Sequence, residues 1–271
     1  MEKKPPHVVA LIGGGAIARV IADELLRHHP GVHLAGVLVH DLARAQACGF
    51  DASVRISTAL SELLSAHPVL VAECAGHSGL AQYGAAVLAH GIDLVVASVG
   101  ALADPELERS LRVAAESAGS HLHIPSGAVG GLDALASAKL GGLARVHYIG
   151  RKPVNAWRGT RAEKTVELDA IRTATVIFQG SAREAALQFP QNANVAASIA
   201  LSGVGFDATR VQLIADPQAR GNEHLIEAEG AFGRLTFTVV GTPMAGNPKT
   251  SNLAAYSLLR ALVSPVETIQ I

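Results

Sequence analysis

The sequence has few of the features that hold secreted proteins together or attach proteins to polyanions. Only 2 cysteines occur in 271 residues, which excludes a disulfide framework and a thiolate metal cluster, and we expect both to stay reduced. The formal net charge of −1 excludes a broad basic surface for nucleic acid or an anionic membrane. No apolar run reaches the roughly 18–20 residues that a membrane span requires. These absences predict a cytoplasmic protein whose partners are small molecules.

Apolar side chains, by contrast, are abundant. Hydrophobic residues make up 49% of the sequence and charged residues 17%, a balance that excludes an intrinsically disordered chain. A chain of 271 residues is long enough for two domains that each bury a core of their own.

The first 125 residues alternate between strand-like and helix-like segments. Residues 7–12 form a continuous apolar run that ends in glycine, as is typical of a strand buried on both faces of a parallel sheet. One later helix is predicted with Asp104 as its N-cap, Pro105 at its first position and Gly119 after its end. The alternation predicts a Rossmann-type, doubly wound α/β domain over residues 1–125. Its further strands are predicted at 32–39, 54–56, 69–74, 94–99 and 121–124.

Strands outnumber helices after Pro125, which predicts a second, α+β domain over residues 126–245 with an open mixed sheet. Short turns at 216–221 and 230–233 join the last three strands, so these strands are expected to be antiparallel neighbours. An amphipathic helix over 250–263 is expected to pack back on the first domain. The predicted strands are 144–150, 174–179, 209–215, 224–228 and 234–240, and the predicted helices are 181–187 and 193–201.

A glycine-rich turn follows the first strand. Residues 13–18 read Gly-Gly-Gly-Ala-Ile-Ala and match the pattern G-x-G-x-x-(G/A). Gly13 permits a tight turn, Gly15 lets the backbone approach a pyrophosphate, and Ala18 allows close packing of helix on strand. The helix that begins at Ala16 and Ile17 then offers its free N–H groups to the phosphates. The turn therefore predicts a binding site for NAD or NADP; the alternative is a glycine turn without a ligand.

Asp41 follows the second strand, at the position that reads the adenosine ribose in such domains. Its carboxylate would accept a hydrogen bond from the 2′-hydroxyl, which favours NAD. His40 and Arg44 are nevertheless suited to a 2′-phosphate, and Asp41 serves equally well as a cap for the next helix. The choice between NAD and NADP therefore stays open.

Polar motifs recur in a fixed order along the rest of the chain, and together they resemble the L-aspartate dehydrogenase family over nearly the whole length. The order of the motifs is more specific than any one of them. They are P-S-G-A-V-G-G at 125–131, F-P-Q-N-A-N-V at 189–195, G-N-E-H at 221–224 and N-P-K-T-S at 247–251.

This resemblance implies oxidation of L-aspartate by NAD or NADP to iminoaspartate, which hydrolyses to oxaloacetate and ammonia. The imine is also a precursor for quinolinate, and hence for pyridine nucleotide biosynthesis. By match of motif, Ala128 and Asn194 contact the nicotinamide end of the cofactor, and His224 is the catalytic residue. Histidine suits the chemistry because its unperturbed pKa of about 6.5 lets it hold an amine proton or activate water near neutral pH. The alternatives are a buried structural histidine at 224 and a helix cap at Asn194.

A dicarboxylate substrate requires cations, and several basic residues are available. Lys249, beside Thr250 in the N-P-K-T-S motif, is the preferred substrate-binding residue, and Thr250 is assigned with it. Arg151, Lys152 and Arg158 are the other candidates, although a single cation is more often a solvated surface charge. No metal site is expected, because His121 and His123 lack a third ligand at suitable spacing.

Two other functions fit parts of the sequence. One is a related two-domain reductase that acts on another small carboxylate, similar to homoserine dehydrogenase or dihydrodipicolinate reductase. The other is a dinucleotide sensor without catalytic activity, because this fold is often reused. The open sheet of the second domain is expected to expose Val, Leu, Ile and Phe, which predicts a homodimer formed across it.

Overall fold

The computed structural model describes residues 7–47, 49–190, 193–244 and 247–270, without the side chains of residues 44, 46, 47, 243 and 247–250. The chain divides into two units. The first comprises Met1–Pro125 and Ala255–Ile271, and the second comprises Ser126–Ala254.

The first unit contains a six-stranded sheet in which every pair of neighbours is parallel. The order is β3-β2-β1-β4-β5-β6, so the chain reverses its direction of winding between β1 and β4. The predicted Rossmann-type sheet is thus confirmed. The strands are β1 His7–Ile12, β2 Val32–Leu38, β3 Ile56–Ser57, β4 Leu70–Glu73, β5 Asp93–Val96 and β6 Leu122–His123.

Helix α5, Pro105–Ala118, begins and ends where the local sequence signals predict. In α5 the Asp104 side chain accepts a hydrogen bond from the N–H of Glu106, Pro105 takes the first position, and Gly119 ends the helix with φ of +69°. A 3-10 helix over Val99–Ala103 precedes it. The helices are α1 Ala16–His28, α2 Leu42–Ala47, α3 Leu60–Leu64, α4 His77–Ala89 and α5 Pro105–Ala118.

The last helix contributes side chains to the core of this unit. Leu258 and Leu262 pack in one buried cluster with Val9 and Leu11 of the central strand β1. The predicted helix over 250–263 begins two residues later, at Asn252, because residues 247–251 are paired as a short strand. We label this helix α9, Asn252–Val263, followed by a 3-10 turn at Ser264–Val266.

The second unit contains a five-stranded mixed sheet in the order β11-β10-β7-β9-β8, as expected for an α+β domain. The predicted antiparallel pairing of β10 with β11 is confirmed, but the predicted pairing of β9 with β10 is wrong, because β7 lies between them. The connection over 216–221 is long enough to cross one strand, which requires roughly 10 Å at the usual strand spacing. The strands are β7 Leu143–Lys152, β8 Thr175–Ser181, β9 Arg210–Ala215, β10 Asn222–Gly230 and β11 Gly233–Gly241, with a short pair β12 Pro243–Met244 and β13 Asn247–Ser251.

Helices cover one face of this sheet. Gly203, which ends the helix Asn194–Ser202, lies against Val146 of β7 and Leu135 of the helix Leu132–Leu140, so the buried, alternate residues of β7 face these helices. Helix α6 and the pair β12–β13 are not among the predicted elements. The helices are α6 Leu132–Leu140, α7 Ala182–Gln188 and α8 Asn194–Ser202, with 3-10 turns at Val154–Trp157, Arg161–Lys164 and Leu168–Ala170.

The opposite face of the sheet, which we call the charged face, carries ion pairs beside apolar side chains such as Val240, which is 65% exposed. Arg145 pairs with Glu229 at 2.5 Å, and Arg234 pairs with Glu227 at 3.0 Å. With His147 they line an open cavity of about 560 Å³. Strand alternation directs the buried residues of these strands to the helix-covered side, whereas Ile149 and its partner Leu225 lie on the charged face. None of the helices in the described ranges is both long and apolar enough to cross a bilayer.

Candidate active site

The glycine turn is packed against the chain that leaves β4. The N–H of Gly13 donates to the carbonyl oxygen of Leu38 at 2.7 Å, and Gly13 has φ of +113°. A Cβ at this position would lie 2.7 Å from the carbonyl carbon and oxygen of Cys74 and 2.8 Å from the nitrogen of Ala75. The positive φ and the close backbone therefore both require glycine at this position.

Gly15 differs from Gly13 because the space around it is open. It has φ of −86° at the N-cap of α1, and no described atom lies within 4 Å of the place where its Cβ would be. No described side chain caps α1, so the N–H groups of its first turn, which includes Ala16 and Ile17, point into this space. Open space above an uncapped helix N-terminus fits a pyrophosphate. The turn lies beside the reversal point between β1 and β4, where such sheets bind ligands.

Asp41 directly precedes α2, and its carbonyl oxygen accepts the N–H of Ala45 at 3.1 Å. The residue is exposed and stands at the N-cap position, so both interpretations of Asp41, as a ribose ligand and as a helix cap, are compatible with its location. The side chain of Arg44 lies outside the described part of the chain.

Glu73 is a buried carboxylate that the sequence analysis does not identify. It ends β4 at 1% exposure, and its oxygens accept hydrogen bonds from the N–H groups of Ala75, Gly76 and Ser98 and from the hydroxyl of Ser98 at 2.7–3.0 Å. Burial raises its pKa. Glu73 thereby links the segments that follow β4 and β5, at the same edge of the sheet as the glycine turn. An acidic residue at the end of an apolar strand is the signal that could have revealed it.

In the second unit, the P-S-G-A-V-G-G motif forms the turn that leads into α6. Gly131 has φ of +74° at the N-cap of α6, and its absent Cβ would lie 2.3 Å from a ring carbon of Phe237 in β11. The motif therefore packs directly on the sheet. Ala128 within this turn and Asn194, the first residue of α8, are both half-buried. Asn192 lies outside the described residues.

His224 lies on the helix-covered face of the same sheet, at 4% exposure. Within β10 it stands opposite Gly150 of β7. Its Nδ1 lies 2.8 Å from the hydroxyl oxygen of Tyr148, which is also buried. Burial, together with the nearby Lys152 ammonium, lowers the pKa of His224 to about 3. The imidazole is therefore neutral at physiological pH.

Lys152 is the cation whose charge acts on the pKa of His224. It lies on the same face of β7, is 6% exposed, and its Nζ is 5.7 Å from the centre of the Trp157 ring. Of the other candidates, Arg151 pairs with Asp216 at 2.8 Å, and Arg158 pairs with Asp169. The side chains of Lys249 and Thr250 lie outside the described part of the chain. A buried ammonium beside a neutral imidazole is a site suited to a carboxylate.

The depressed pKa of His224 makes stability depend on pH. The folded protein keeps the imidazole neutral down to about pH 3, whereas the unfolded chain binds a proton below about pH 6.5. The stabilisation is therefore complete above pH 6.5 and is lost as the pH falls toward 3. Between pH 7.5 and pH 4 we expect His224 to remove about 3 kcal/mol from the free energy of unfolding.

Urea unfolding across this pH range measures the effect. The loss of unfolding free energy between pH 7.5 and pH 4 should be smaller by this amount in His224→Gln than in wild type. It should be unchanged in a variant of an exposed histidine, His28→Gln. An equal loss of unfolding free energy in wild type and His224→Gln would show that His224 is not buried in its neutral form.

Family profiles match both units of the chain. The profile described as "Aspartate dehydrogenase, C-terminal" matches residues 133–264. The profile described as "Homoserine dehydrogenase, NAD binding domain" matches residues 13–125. The first unit therefore carries an NAD-binding domain, and the second resembles aspartate dehydrogenases.

Full-length relatives agree with this assignment. An L-aspartate dehydrogenase from Ralstonia pickettii is 45% identical over 267 residues, which are 97% of this chain and 99% of the relative. One from Ruegeria pomeroyi is 48% identical over 254 residues, which are 94% and 90% of the two chains. The crystal structure of aspartate dehydrogenase from Thermotoga maritima matches with a TM-score of 0.74 at 25% identity, over 98% of this chain and 100% of that one. The chain belongs to the L-aspartate dehydrogenase family.

Proposed function

We propose that this protein is an NAD(P)-dependent L-aspartate dehydrogenase, which oxidises L-aspartate to iminoaspartate that hydrolyses to oxaloacetate and ammonia. The observation that carries the proposal is the buried pair of His224 and Lys152, in a chain that also contains an uncapped glycine turn for a dinucleotide. A neutral hydrogen-bonding ring beside a buried cation suits a small anionic amino acid better than it suits an uncharged substrate.

The first unit supplies the proposed cofactor contacts. Gly13 keeps the turn tight, Gly15 leaves room for the pyrophosphate, and the N–H groups at Ala16 and Ile17 donate to it. Asp41 is the proposed ligand of the adenosine ribose. The family resemblance adds Ala128 and Asn194 at the nicotinamide end. A bound nicotinamide would supply the acceptor for the hydride of the substrate Cα.

The second unit supplies the proposed substrate contacts. Hydride leaves Cα only when the amine is unprotonated, and His224, with a pKa of about 3, does not store that proton in the resting protein. Alkaline solvent therefore produces the free amine, and His224 contacts the substrate as a neutral, hydrogen-bonding ring. We assign Lys152 to one substrate carboxylate, and retain Lys249 and Thr250 as candidates for the other.

The test is direct. Purified protein, L-aspartate and either NAD or NADP should give reduced cofactor at alkaline pH, and the ratio of the two initial rates decides the cofactor preference. The rates with D-aspartate, homoserine and L-glutamate are measured for comparison with the rate for L-aspartate. Absence of aspartate-dependent reduction with both cofactors would refute the proposed function, and a faster rate with homoserine would favour the related reductase.

Lys152→Met tests the carboxylate assignment, because methionine keeps most of the apolar length and removes the charge. We expect KM for L-aspartate to rise about 10- to 100-fold, since a charge-assisted hydrogen bond contributes roughly 1.5–3 kcal/mol. Lys139→Met, at an exposed lysine of α6, is the control and should leave KM unchanged. An unchanged KM in Lys152→Met would assign the carboxylates to other residues.

We further propose that the protein forms a homodimer across the charged face of the second sheet. Both signs occur there, with Arg145 and Arg234 interleaved with Glu227 and Glu229. A two-fold contact can therefore place arginines of one copy against glutamates of the other. Light scattering at low and high salt tests this: a monomeric mass at low salt would refute it.

The proposed compartment is the cytoplasm, and the proposed product iminoaspartate is suited to feed pyridine nucleotide biosynthesis. The support for this location is Cys74, which is a free thiol, as expected in a reducing environment. Cell fractionation with an antibody against the protein tests the compartment.

A further inference from the structure

Tyr148 and His224 are joined by a contact for which the chain makes specific room. Tyr148 stands two residues before Gly150 on the same face of β7, and Gly150 is the partner of His224 across the β7–β10 ladder. The phenol extends over Gly150 to reach the imidazole. A Cβ on Gly150 would lie 2.7 Å from the Tyr148 oxygen and 3.1 Å from its Cζ. The 2.8 Å contact between Tyr148 Oη and His224 Nδ1 therefore requires glycine at position 150.

The direction of this hydrogen bond follows from the partners of the two groups. Burial raises the pKa of Tyr148, so the phenol keeps its proton and must donate it. His224 Nδ1 is the one hydrogen-bond partner that the described residues offer to the Tyr148 hydroxyl. If Nδ1 carried the imidazole proton, the phenol proton would be buried without an acceptor, at a cost that folded proteins avoid. The phenol therefore donates to an unprotonated Nδ1.

We propose that Tyr148 is a positioning residue that fixes the tautomer of His224, placing the single imidazole proton on Nε2. The proposal deepens the proposed function and rests on it for the role of His224 toward substrate. With Nδ1 occupied by the phenol, the resting imidazole meets its ligand as a hydrogen-bond donor from Nε2. It therefore binds an oxygen of the substrate and orients it, and does not accept the proton of the substrate amine.

The tautomer can be measured directly, without substrate or cofactor. In protein labelled with ¹⁵N-histidine, the imidazole nitrogens of His224 are assigned by their loss in His224→Gln. We expect one neutral ring with a protonated Nε2 and an unprotonated Nδ1, unchanged between about pH 5 and pH 9. A proton on Nδ1, or a titration near pH 6.5, would overturn the proposal whether or not the protein oxidises aspartate.

Tyr148→Phe removes the hydroxyl and keeps the ring. We expect the Nδ1-protonated tautomer to become detectable, and kcat for L-aspartate to fall about 10-fold, the effect of one orienting hydrogen bond, with little change in KM. Gly150→Ala should shift the tautomer in the same direction, because its Cβ displaces the phenol. Tyr256→Phe, at an exposed tyrosine of α9, is the control.

The outcomes separate the inference from the proposed function. A wild-type Nε2–H tautomer that persists unchanged in both Tyr148→Phe and Gly150→Ala would overturn the positioning role. A tautomer shift in both variants of a protein that does not oxidise aspartate would support the positioning role and refute the function alone. A lower kcat in Tyr148→Phe without any tautomer shift would indicate a packing defect and would likewise overturn the inference.

Discussion

Replacing His224 with alanine should lower kcat/KM for L-aspartate about 100-fold or more, the usual effect of removing one positioned hydrogen-bond donor from an active site. The change removes the one described imidazole that lies on the helix-covered face next to Lys152. Affinity for NADH should be unaffected, because the proposed pyrophosphate site is formed by the separate segment 13–17. Initial rates and a fluorescence titration with NADH measure the two effects.

Two further substitutions at His224 distinguish a donor from a base. Glutamine places an amide N–H near the position of Nε2, whereas asparagine places its amide near Nδ1. If the imidazole acts as a donor from Nε2, His224→Gln should retain clearly more activity than His224→Asn or His224→Ala. Equal and complete loss in all three variants, with unchanged folding, would instead indicate proton transfer through the ring. His28→Ala, at an exposed histidine, is the control and should be fully active. Full activity in His224→Ala would remove His224 from the site.

The second large effect is expected at the glycine turn, where two neighbouring glycines should behave differently. Gly13→Ala combines a φ of +113° with a Cβ at 2.7 Å from the backbone of Cys74. Strain and overlap together should cost roughly 2–6 kcal/mol of stability. Because the turn must move to relieve the overlap, binding of NADH and NADPH should also be lost.

Gly15→Ala is the matched variant, because its Cβ meets no described atom within 4 Å and its φ suits any residue. Its stability should equal that of wild type. The affinity for NADH should nevertheless fall about 10- to 100-fold, because the added methyl group occupies the space that the pyrophosphate needs. Thermal unfolding and calorimetric titration give the two readouts. Wild-type affinity in Gly15→Ala would place the pyrophosphate elsewhere.

Local sequence was sufficient where a structure depends on neighbouring residues. The caps of α5 at Asp104 and Gly119 follow from side chains and φ angles within a few residues of the helix ends. The six parallel strands follow from apolar runs that alternate with helical spacing. In contrast, the position of β7 between β9 and β10 in the sheet depends on pairing between strands that are distant in the chain. The short polar connection over 216–221 is compatible both with a hairpin and with a crossing over one strand, so the sequence predicted the wrong neighbour for β9.

The sequence likewise predicted some residues of the candidate site and not others. The order of the motifs indicated His224, Ala128 and Asn194, whose roles remain predictions. The sequence could not indicate that Tyr148, 76 residues away, donates to His224. It also could not indicate that Lys152, and not Arg151, would be the buried cation: the two are adjacent, and only the covered side of β7 distinguishes them.

By itself, the sequence determined the fold class, the cofactor class and the family, because these follow from periodicity, from a short glycine motif and from motif order. The tertiary structure alone decided the chemical state of the site. Burial removes water from His224 and brings the Lys152 charge near it, and these two effects lower its pKa from about 6.5 to about 3. The resulting neutral imidazole depends on the environment that strands and helices create together, which no single segment of the chain contains.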